Sequence, residues 1–229
     1  GRFGKILAKI FANGYELLVF DPQSAEKSAY LSTDISKVLQ SDIIFLSVPI
    51  REFENVVKEI SKYKLYGTTI IDVCSVKVYP VKVMEKHLPP HVGIIATHPL
   101  FGPDSFSSFR ELKMMAFPVR DLNDQYIELK EFFLCQSIQV VEMTPEAHDR
   151  KAAMSQGITH FIGRTLNESG VKSTEINTLG FNDLLGVIEQ TCNDSWELFK
   201  DLQNYNPYTD EMVHQLEDAI KRIRKNIKL

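Results

Sequence analysis

The chain opens with Gly1-Arg2-Phe3-Gly4, which leads into Lys5–Phe11, a stretch with apolar residues at helical spacing. A strand-like run, Tyr15–Asp21, follows and ends in an acid. This order is typical of the last two glycines of a G-x-G-x-x-G turn, whose acidic residue comes about 20 positions later. We therefore predict that Gly1-Arg2-Phe3-Gly4 binds dinucleotide phosphates at a helix N-terminus and that Asp21 binds the ribose hydroxyls. Gly4 would let the helix pack against the sheet, and the first glycine and its strand are expected to precede this chain.

Strand-like and helical stretches alternate up to about residue 143, which indicates a doubly wound parallel sheet. The predicted strands are Leu17–Phe20, Asp42–Val48, Thr68–Val73, Val92–Ala96, Met114–Val119 and Gln139–Met143. The predicted helices lie near Ile35–Gln40, Glu52–Tyr63, Tyr79–His87 and Asp124–Leu134. The fold class is therefore α/β, with a Rossmann nucleotide-binding domain over residues 1–143 that lacks its first strand.

The strand signal disappears from Thr144 on, and three helices are predicted at about Thr144–Glu168, Asp183–Gln203 and Asp210–Ile227. Three helices of this length cannot bury their apolar faces on one another alone. Residues 144–229 are therefore predicted to form an all-helical substrate and dimerisation domain. It would pack on the sheet domain and on the second subunit of a homodimer.

One histidine follows the fourth predicted strand, in Thr97-His98-Pro99-Leu100-Phe101-Gly102-Pro103. Ligands gather outside the carboxyl ends of parallel strands, and a neutral imidazole there can accept a proton at physiological pH. His98 is thus predicted to be a general base on the loop after the strand. The alternative for a lone His-Pro is a histidine at the strand end that caps backbone carbonyls.

Two neighbouring strands are also predicted to end in polar residues. Ser47-Val48-Pro49 ends one of them and is expected to contact the cofactor. Ser75 follows the next strand, where it could hydrogen-bond the imidazole, a substrate hydroxyl or the nicotinamide. The alternative role for Ser75 is to form the N-cap of the helix that starts near Tyr79. Lys77 is expected to be solvated rather than catalytic.

Composition excludes several classes of protein. The net charge is −4 and the pI is near 5.9, with no basic stripe, which argues against nucleic-acid binding. Cys74, Cys135 and Cys192 are scattered without metal-ligand spacing, as is typical of reduced thiols, so no metal is expected. No apolar run approaches the length of a membrane span. We expect a cytoplasmic protein, or a plastid one if the source is a plant.

Several segments occur in an order that resembles the prephenate/arogenate dehydrogenases of tyrosine biosynthesis. These segments are Gly1–Gly4, Asp72–Lys77, His98–Asp104 and His148-Asp149 with His160. Other stretches resemble the arogenate-type branch found in plants: Ser155–His160, Ser173–Asn177, Asn193–Leu198 and Tyr205-Asn206-Pro207.

The resemblance implies oxidative decarboxylation of a cyclohexadienol, with hydride transfer to a nicotinamide cofactor. His98 would accept the ring hydroxyl proton, and Ser75 would hold the hydroxyl and the histidine in register. His160 matches a family histidine near the side-chain end of the substrate. Helix geometry places Gln156 on the same stripe as His160, and places His148, Ser155 and Thr159 on a second stripe.

Asp194 matches an acid of the arogenate branch, where it would face the substrate's ammonium. Cys192 stands near the position where many prephenate dehydrogenases carry an arginine that binds a substrate carboxylate. Asp21 favours NAD, whereas the plant relatives favour NADP. The alternatives are a prephenate dehydrogenase giving 4-hydroxyphenylpyruvate, a Rossmann dehydrogenase of the β-hydroxyacid type, and a non-catalytic nucleotide-sensing protein.

Overall fold

The computed structural model describes residues 1–12, 14–22, 30–32, 34–102, 106, 111–122 and 124–228. Pro103 and Asp104 of the loop after His98, and residues 23–29 after Asp21, lie outside the described residues. The chain divides into two compact units, Gly1–Pro145 and Glu146–Leu229, called here the sheet unit and the helical unit.

The sheet unit contains five strands in the order β1-β2-β3-β4-β5. They are β1 Ile43–Leu46, β2 Thr69–Asp72, β3 Gly93–Pro99, β4 Leu112–Arg120 and β5 Ile138–Glu142. β1, β2 and β3 are parallel, β4 is antiparallel to β3, and β5 is parallel to β4. The α/β prediction is confirmed, but the sheet is mixed rather than parallel. β4 therefore runs back beside β3.

Among the described residues of this unit, two helices precede β1, and three more lie between the strands that follow. They are α1 Arg2–Phe11, α2 Ile35–Val38, α3 Ile50–Ile60, α4 Val78–His87 and α5 Gln125–Cys135. α1 buries Ile6, Leu7, Ile10 and Phe11, and the Phe11 ring stacks on Phe132 with centroids 4.8 Å apart. Each such side chain contributes roughly 1.5–3 kcal/mol by leaving water. This burial anchors α1 in the core of the sheet unit.

The predicted strand Leu17–Phe20 is wrong for the described residues. A single parallel bridge, between Val19 and Leu31, is found there. A strand needs a ladder of backbone partners, and in this segment one residue has such a partner.

The helical unit differs from the prediction at two places. Its helices are α6 Pro145–Ala152, α7 Ile158–Glu168, α8 Leu179–Cys192, α9 Trp196–Asn204 and α10 Thr209–Asn226. A π-helical turn, Ala153–Gly157, joins α6 to α7. The predicted helix Asp183–Gln203 is interrupted after Cys192, because the Ser195 hydroxyl accepts a hydrogen bond from Leu198 N at 3.1 Å and caps α9.

α7 and α8 approach each other closely at Gly163. A Cβ atom built on Gly163 would lie 2.2 Å from Thr191 Oγ1, so a glycine is required at this crossing. Within the described ranges, no helix is both long and apolar enough to span a membrane.

Candidate functional site

The N-terminus of α1 has the features of a phosphate site. α1 begins directly after Gly1, and its first N–H groups lack intrahelical acceptors, which favours anions there. Gly1 N lies 2.8 Å from Asp21 Oδ2. The acid predicted to bind ribose therefore lies beside the turn predicted to bind phosphate, and these residues fit a dinucleotide.

The other residues predicted to bind the cofactor surround the same turn. Arg2 is exposed, and the Phe3 ring packs near Phe101 with centroids 6.1 Å apart. Ser47-Val48-Pro49 follows β1 directly, and Pro49 precedes α3. A Cβ atom on Gly4 would lie 3.7 Å from Ser47 Oγ, an ordinary contact. The small serine leaves this room, so close packing does not require a glycine at position 4.

His98 lies within β3 and not on the loop after it. It is 5% exposed and pairs with Met115 of β4. The predicted loop position is therefore wrong, because β4 extends β3 through Pro99. Backbone pairing on the β4 side thus holds the histidine.

Ser75 is half-buried between β2 and α4. The N-cap alternative is wrong, because α4 begins at Val78 and Lys77 occupies the cap position. No hydrogen bond of the Ser75 hydroxyl is found among the described residues. The hydroxyl can therefore serve a ligand.

Lys77 is the main feature of this edge that the sequence analysis missed. It was expected to be solvated, yet it is fully buried. Its Nζ donates to Asp72 Oδ1 and to the Thr97 carbonyl. Burial raises the pKa of the Asp72 carboxyl, and the Lys77 charge opposes that rise. Asp72 Oδ2 has no hydrogen-bond partner within the described ranges.

His160 and Asp194 lie together in the helical unit. Nδ1 of His160 is 3.9 Å from Asp194 Oδ2, and their side chains are 13% and 34% exposed. Burial lowers the pKa of His160, the Arg164 charge lowers it further, and the Asp194 charge opposes the shift. Gln156 is half-buried in the π-helical turn, and among described residues its side chain makes no hydrogen bond.

The predicted second stripe is not formed. His148 is 4% exposed, and its Nδ1 lies 2.8 Å from Asp149 Oδ1, while Ser155 and Thr159 are exposed. The π-helical turn has i→i+5 hydrogen bonds and so contains more residues than a turn of α-helix. The side chains after it therefore point in other directions than they would on one continuous α-helix.

Arg164 was not identified from the sequence, although it lies four residues after His160 in α7. Its Nη2 donates to the carbonyl oxygens of Thr191, at 3.1 Å, and of Asp194. Its guanidinium carbon lies 4.7 Å from the centre of the Trp196 ring. Arg164 thereby holds the break between α8 and α9, which carries Asp194. The one available sequence signal was the helical spacing from His160.

Comparison with known proteins gives consistent matches over both units. Residues 24–122 match the family model described as the prephenate dehydrogenase nucleotide-binding domain, and residues 165–228 match the TYRAAT1-like C-terminal domain. Chloroplastic arogenate dehydrogenase 2 of Arabidopsis thaliana is 33% identical, over 99% of this chain and 68% of that protein. A probable arogenate/prephenate dehydrogenase of Methanocaldococcus jannaschii is 28% identical, over 87% of this chain and 46% of its own length.

A solved structure shows the same fold. Prephenate dehydrogenase from Aquifex aeolicus, crystallised with hydroxyphenyl propionate and NAD+, matches with a TM-score of 0.77. The alignment covers 99% of this chain and 87% of that one at 20% identity. The predicted order of a Rossmann domain followed by a helical domain is confirmed.

Proposed function

Because the chain belongs to the arogenate and prephenate dehydrogenase family, we propose that it converts arogenate to tyrosine by oxidative decarboxylation. The resemblance drawn from the sequence is confirmed, as is the class of enzyme, a dehydrogenase that uses NAD or NADP. Arogenate rather than prephenate is the substrate that the residues favour.

The observation that carries this choice is the Asp194 carboxylate beside His160. Arogenate carries an amino acid side chain with an ammonium, whereas the side chain of prephenate ends in a keto acid. A carboxylate pairs with the ammonium and repels the keto acid. The similarity to an Arabidopsis thaliana arogenate dehydrogenase supports the same choice.

In this proposal His98 is the general base. Its imidazole takes the proton of the ring hydroxyl while the carbinol carbon loses a hydride. The electrons of the bond to the leaving carboxylate then enter the ring, carbon dioxide departs, the ring becomes aromatic, and its oxygen takes back the proton from His98 to give the phenol. The bound nicotinamide supplies the hydride acceptor. Ser75 orients the hydroxyl, and Gln156 and His160 contact the side-chain end of the substrate. A positioned base of this kind contributes roughly 10²–10⁴-fold to the rate.

We propose NAD as the preferred cofactor. Asp21 lies beside Gly1, where its charge would pair with ribose hydroxyls and repel a 2′-phosphate. We further propose a homodimer formed through the helical unit, and a location in the cytoplasm or, for a plant protein, the plastid.

Absorbance at 340 nm tests the reaction with full-length protein and arogenate, prephenate or a β-hydroxy acid. Highest kcat/KM with arogenate is expected. Highest kcat/KM with prephenate would keep the family assignment but make prephenate the substrate. Turnover of the β-hydroxy acid alone, or cofactor binding without any turnover, would contradict the proposal.

A further inference from the structure

An ion pair between Asp72 and Lys77 is completely buried at the end of β2. Burying two charges is costly, and well-packed apolar residues of similar volume often stabilise a protein as well or better. A pair at this place therefore needs an explanation other than stability. Its hydrogen bonds reach the residues directly before Ser75 and His98, the two residues assigned to the proton transfer.

The first set of hydrogen bonds attaches β3 to β2 next to His98. The parallel ladder between these strands ends at Asp72 and Ala96, and β3 continues with its partners on β4. Beyond the ladder, Lys77 Nζ donates to the Thr97 carbonyl, and Thr97 Oγ1 donates to the Asp72 carbonyl at 2.6 Å. These bonds hold the residue that directly precedes His98 on the side where the ladder has ended.

The second set of hydrogen bonds holds the loop that carries Ser75. Oδ1 of Asp72 accepts from Cys74 N at 3.0 Å and from Lys77 Nζ. One carboxylate therefore fixes the chain on both sides of Ser75. The same ammonium is bonded to the loop and to β3.

We propose that Lys77 is a positioning residue for the proton transfer. Held by Asp72, its ammonium fixes the backbone before His98 and the loop around Ser75, and so sets the imidazole and the hydroxyl in one geometry. Lys77 touches no reacting atom. The inference rests on the proposed function, because it concerns the step in which His98 takes the hydroxyl proton.

The test compares Lys77→Met with the double variant Asp72→Asn/Lys77→Met. The single variant leaves a buried carboxylate without its partner and is expected to unfold more easily. The double variant removes both charges, so its Tm should return towards that of the wild type. Its kcat should remain about 10- to 100-fold low, with the Kd for NAD within about twofold, because a small displacement of a base is enough for such a loss.

Lys86→Met is the matched control, since Lys86 is an exposed lysine in the last turn of the same helix, α4. It should leave kcat unchanged. Recovery of both Tm and wild-type kcat in the double variant would overturn the proposal, because the pair would then serve stability alone.

A second readout does not depend on turnover. The Cε1–H resonances of the six histidines can be recorded by NMR, with His98 assigned by its loss in His98→Asn. In the double variant the His98 signal should move or split, while the signals of His148 and His160 stay in place. An unmoved His98 signal overturns the positioning role. Wild-type protein without turnover contradicts the proposed function, and the NMR result then decides the role of Lys77 by itself.

Discussion

The general base proposed here, His98, is held by a strand. The ring is almost fully buried, and its backbone pairs with Met115, so few orientations remain open to it. A loop residue would have to lose more conformational freedom on binding substrate. The buried site also keeps water away from the proton that is transferred.

Replacement of His98 by asparagine should therefore remove the base without disturbing the fold. We expect kcat with arogenate to fall by about 10²-fold or more, with little change in cofactor affinity. Steady-state kinetics and titration with NAD measure both quantities. His91→Asn, at an exposed position just before β3, is the control. Near-normal turnover of His98→Asn would exclude His98 as the base.

Asp194→Asn should change substrate preference. The variant loses the charge that pairs with the arogenate ammonium, so kcat/KM for arogenate should fall by roughly ten- to a hundredfold. Activity with prephenate should rise, because the repulsion of its keto acid is removed. Asp218→Asn, on the exposed face of α10, should change neither value. Wild-type kinetics of Asp194→Asn with both substrates would leave the choice between them open.

Burial of His160 has a consequence for stability at acid pH. Its pKa in the folded protein is below the ordinary value of 6.5, so the unfolded chain binds a proton first as the pH falls. Protonation of this residue should therefore lower the free energy of unfolding below about pH 6.5. Urea unfolding at pH 7 and pH 5.5 should show a smaller acid loss in His160→Gln than in the wild type. An equal loss in both proteins would contradict this assignment.

At the scale of the elements, the break between α8 and α9 depends on Arg164. Its Nη2 donates to the carbonyl oxygen of Thr191, in the last turn of α8, and to that of Asp194, just after α8. The aromatic rings of Trp196 and Phe199 lie against the guanidinium group, at 4.7 and 5.1 Å. Arg164 thus fixes the backbone at Asp194, the point from which the Asp194 side chain extends.

Arg164→Met should leave these carbonyl oxygens without donors. We expect the free energy of unfolding to fall by about 2 kcal/mol and kcat/KM for arogenate to decrease with it. Urea unfolding and steady-state kinetics measure the two effects. Arg222→Met on the exposed face of α10 should behave as the wild type. An unchanged stability of Arg164→Met would show that the break does not need the guanidinium group.

The positions of the elements could be predicted where local pattern decides them. The predicted strands Asp42–Val48 and Thr68–Val73 contain β1 and β2, because short apolar runs between polar turns have few alternatives. The interruption before Ser195 could not be predicted, since Asn193 and Asp194 also occur in surface helices. Besides the Ser195 cap, a contact from Arg164, about thirty positions earlier, supports it.

The candidate site likewise has features that could be predicted from the sequence and features that depend on tertiary contacts. The spacing between Gly1 and Asp21 predicted that both bind the cofactor, and Gly1 N lies 2.8 Å from Asp21 Oδ2. The burial of Lys77 was missed, because a lysine is rarely buried and its two acceptors belong to neighbouring strands. Pairing of β3 with β4, which moves His98 from a loop into a strand, is likewise a tertiary effect.

At the scale of the whole molecule, each unit has its own buried residues, and the helical unit leaves large apolar side chains exposed. Ile176 and Leu179 are 83% and 85% exposed. Such side chains on neighbouring positions fit the proposed homodimer, in which a second copy would cover them.

Leu179→Lys should therefore weaken the dimer. We expect the wild type to have about twice the 26.2 kDa chain mass in light scattering after gel filtration, and the variant to have the mass of one chain. Ile127→Lys, at a position on α5 of the sheet unit that is 57% exposed, should remain dimeric. A wild-type mass of one chain would exclude the dimer.

The stacking of Arg164 on Trp196 also gives the protein an internal optical reporter. Trp196 is the single tryptophan of the chain, so its fluorescence comes from the start of α9, two residues after Asp194. Far-ultraviolet circular dichroism instead sums the helices and strands of both units. Denaturation curves from the two signals would coincide if the units unfold together and separate if they unfold in turn. The same emission should respond when a ligand reaches Asp194, which allows substrate binding to be followed without a label.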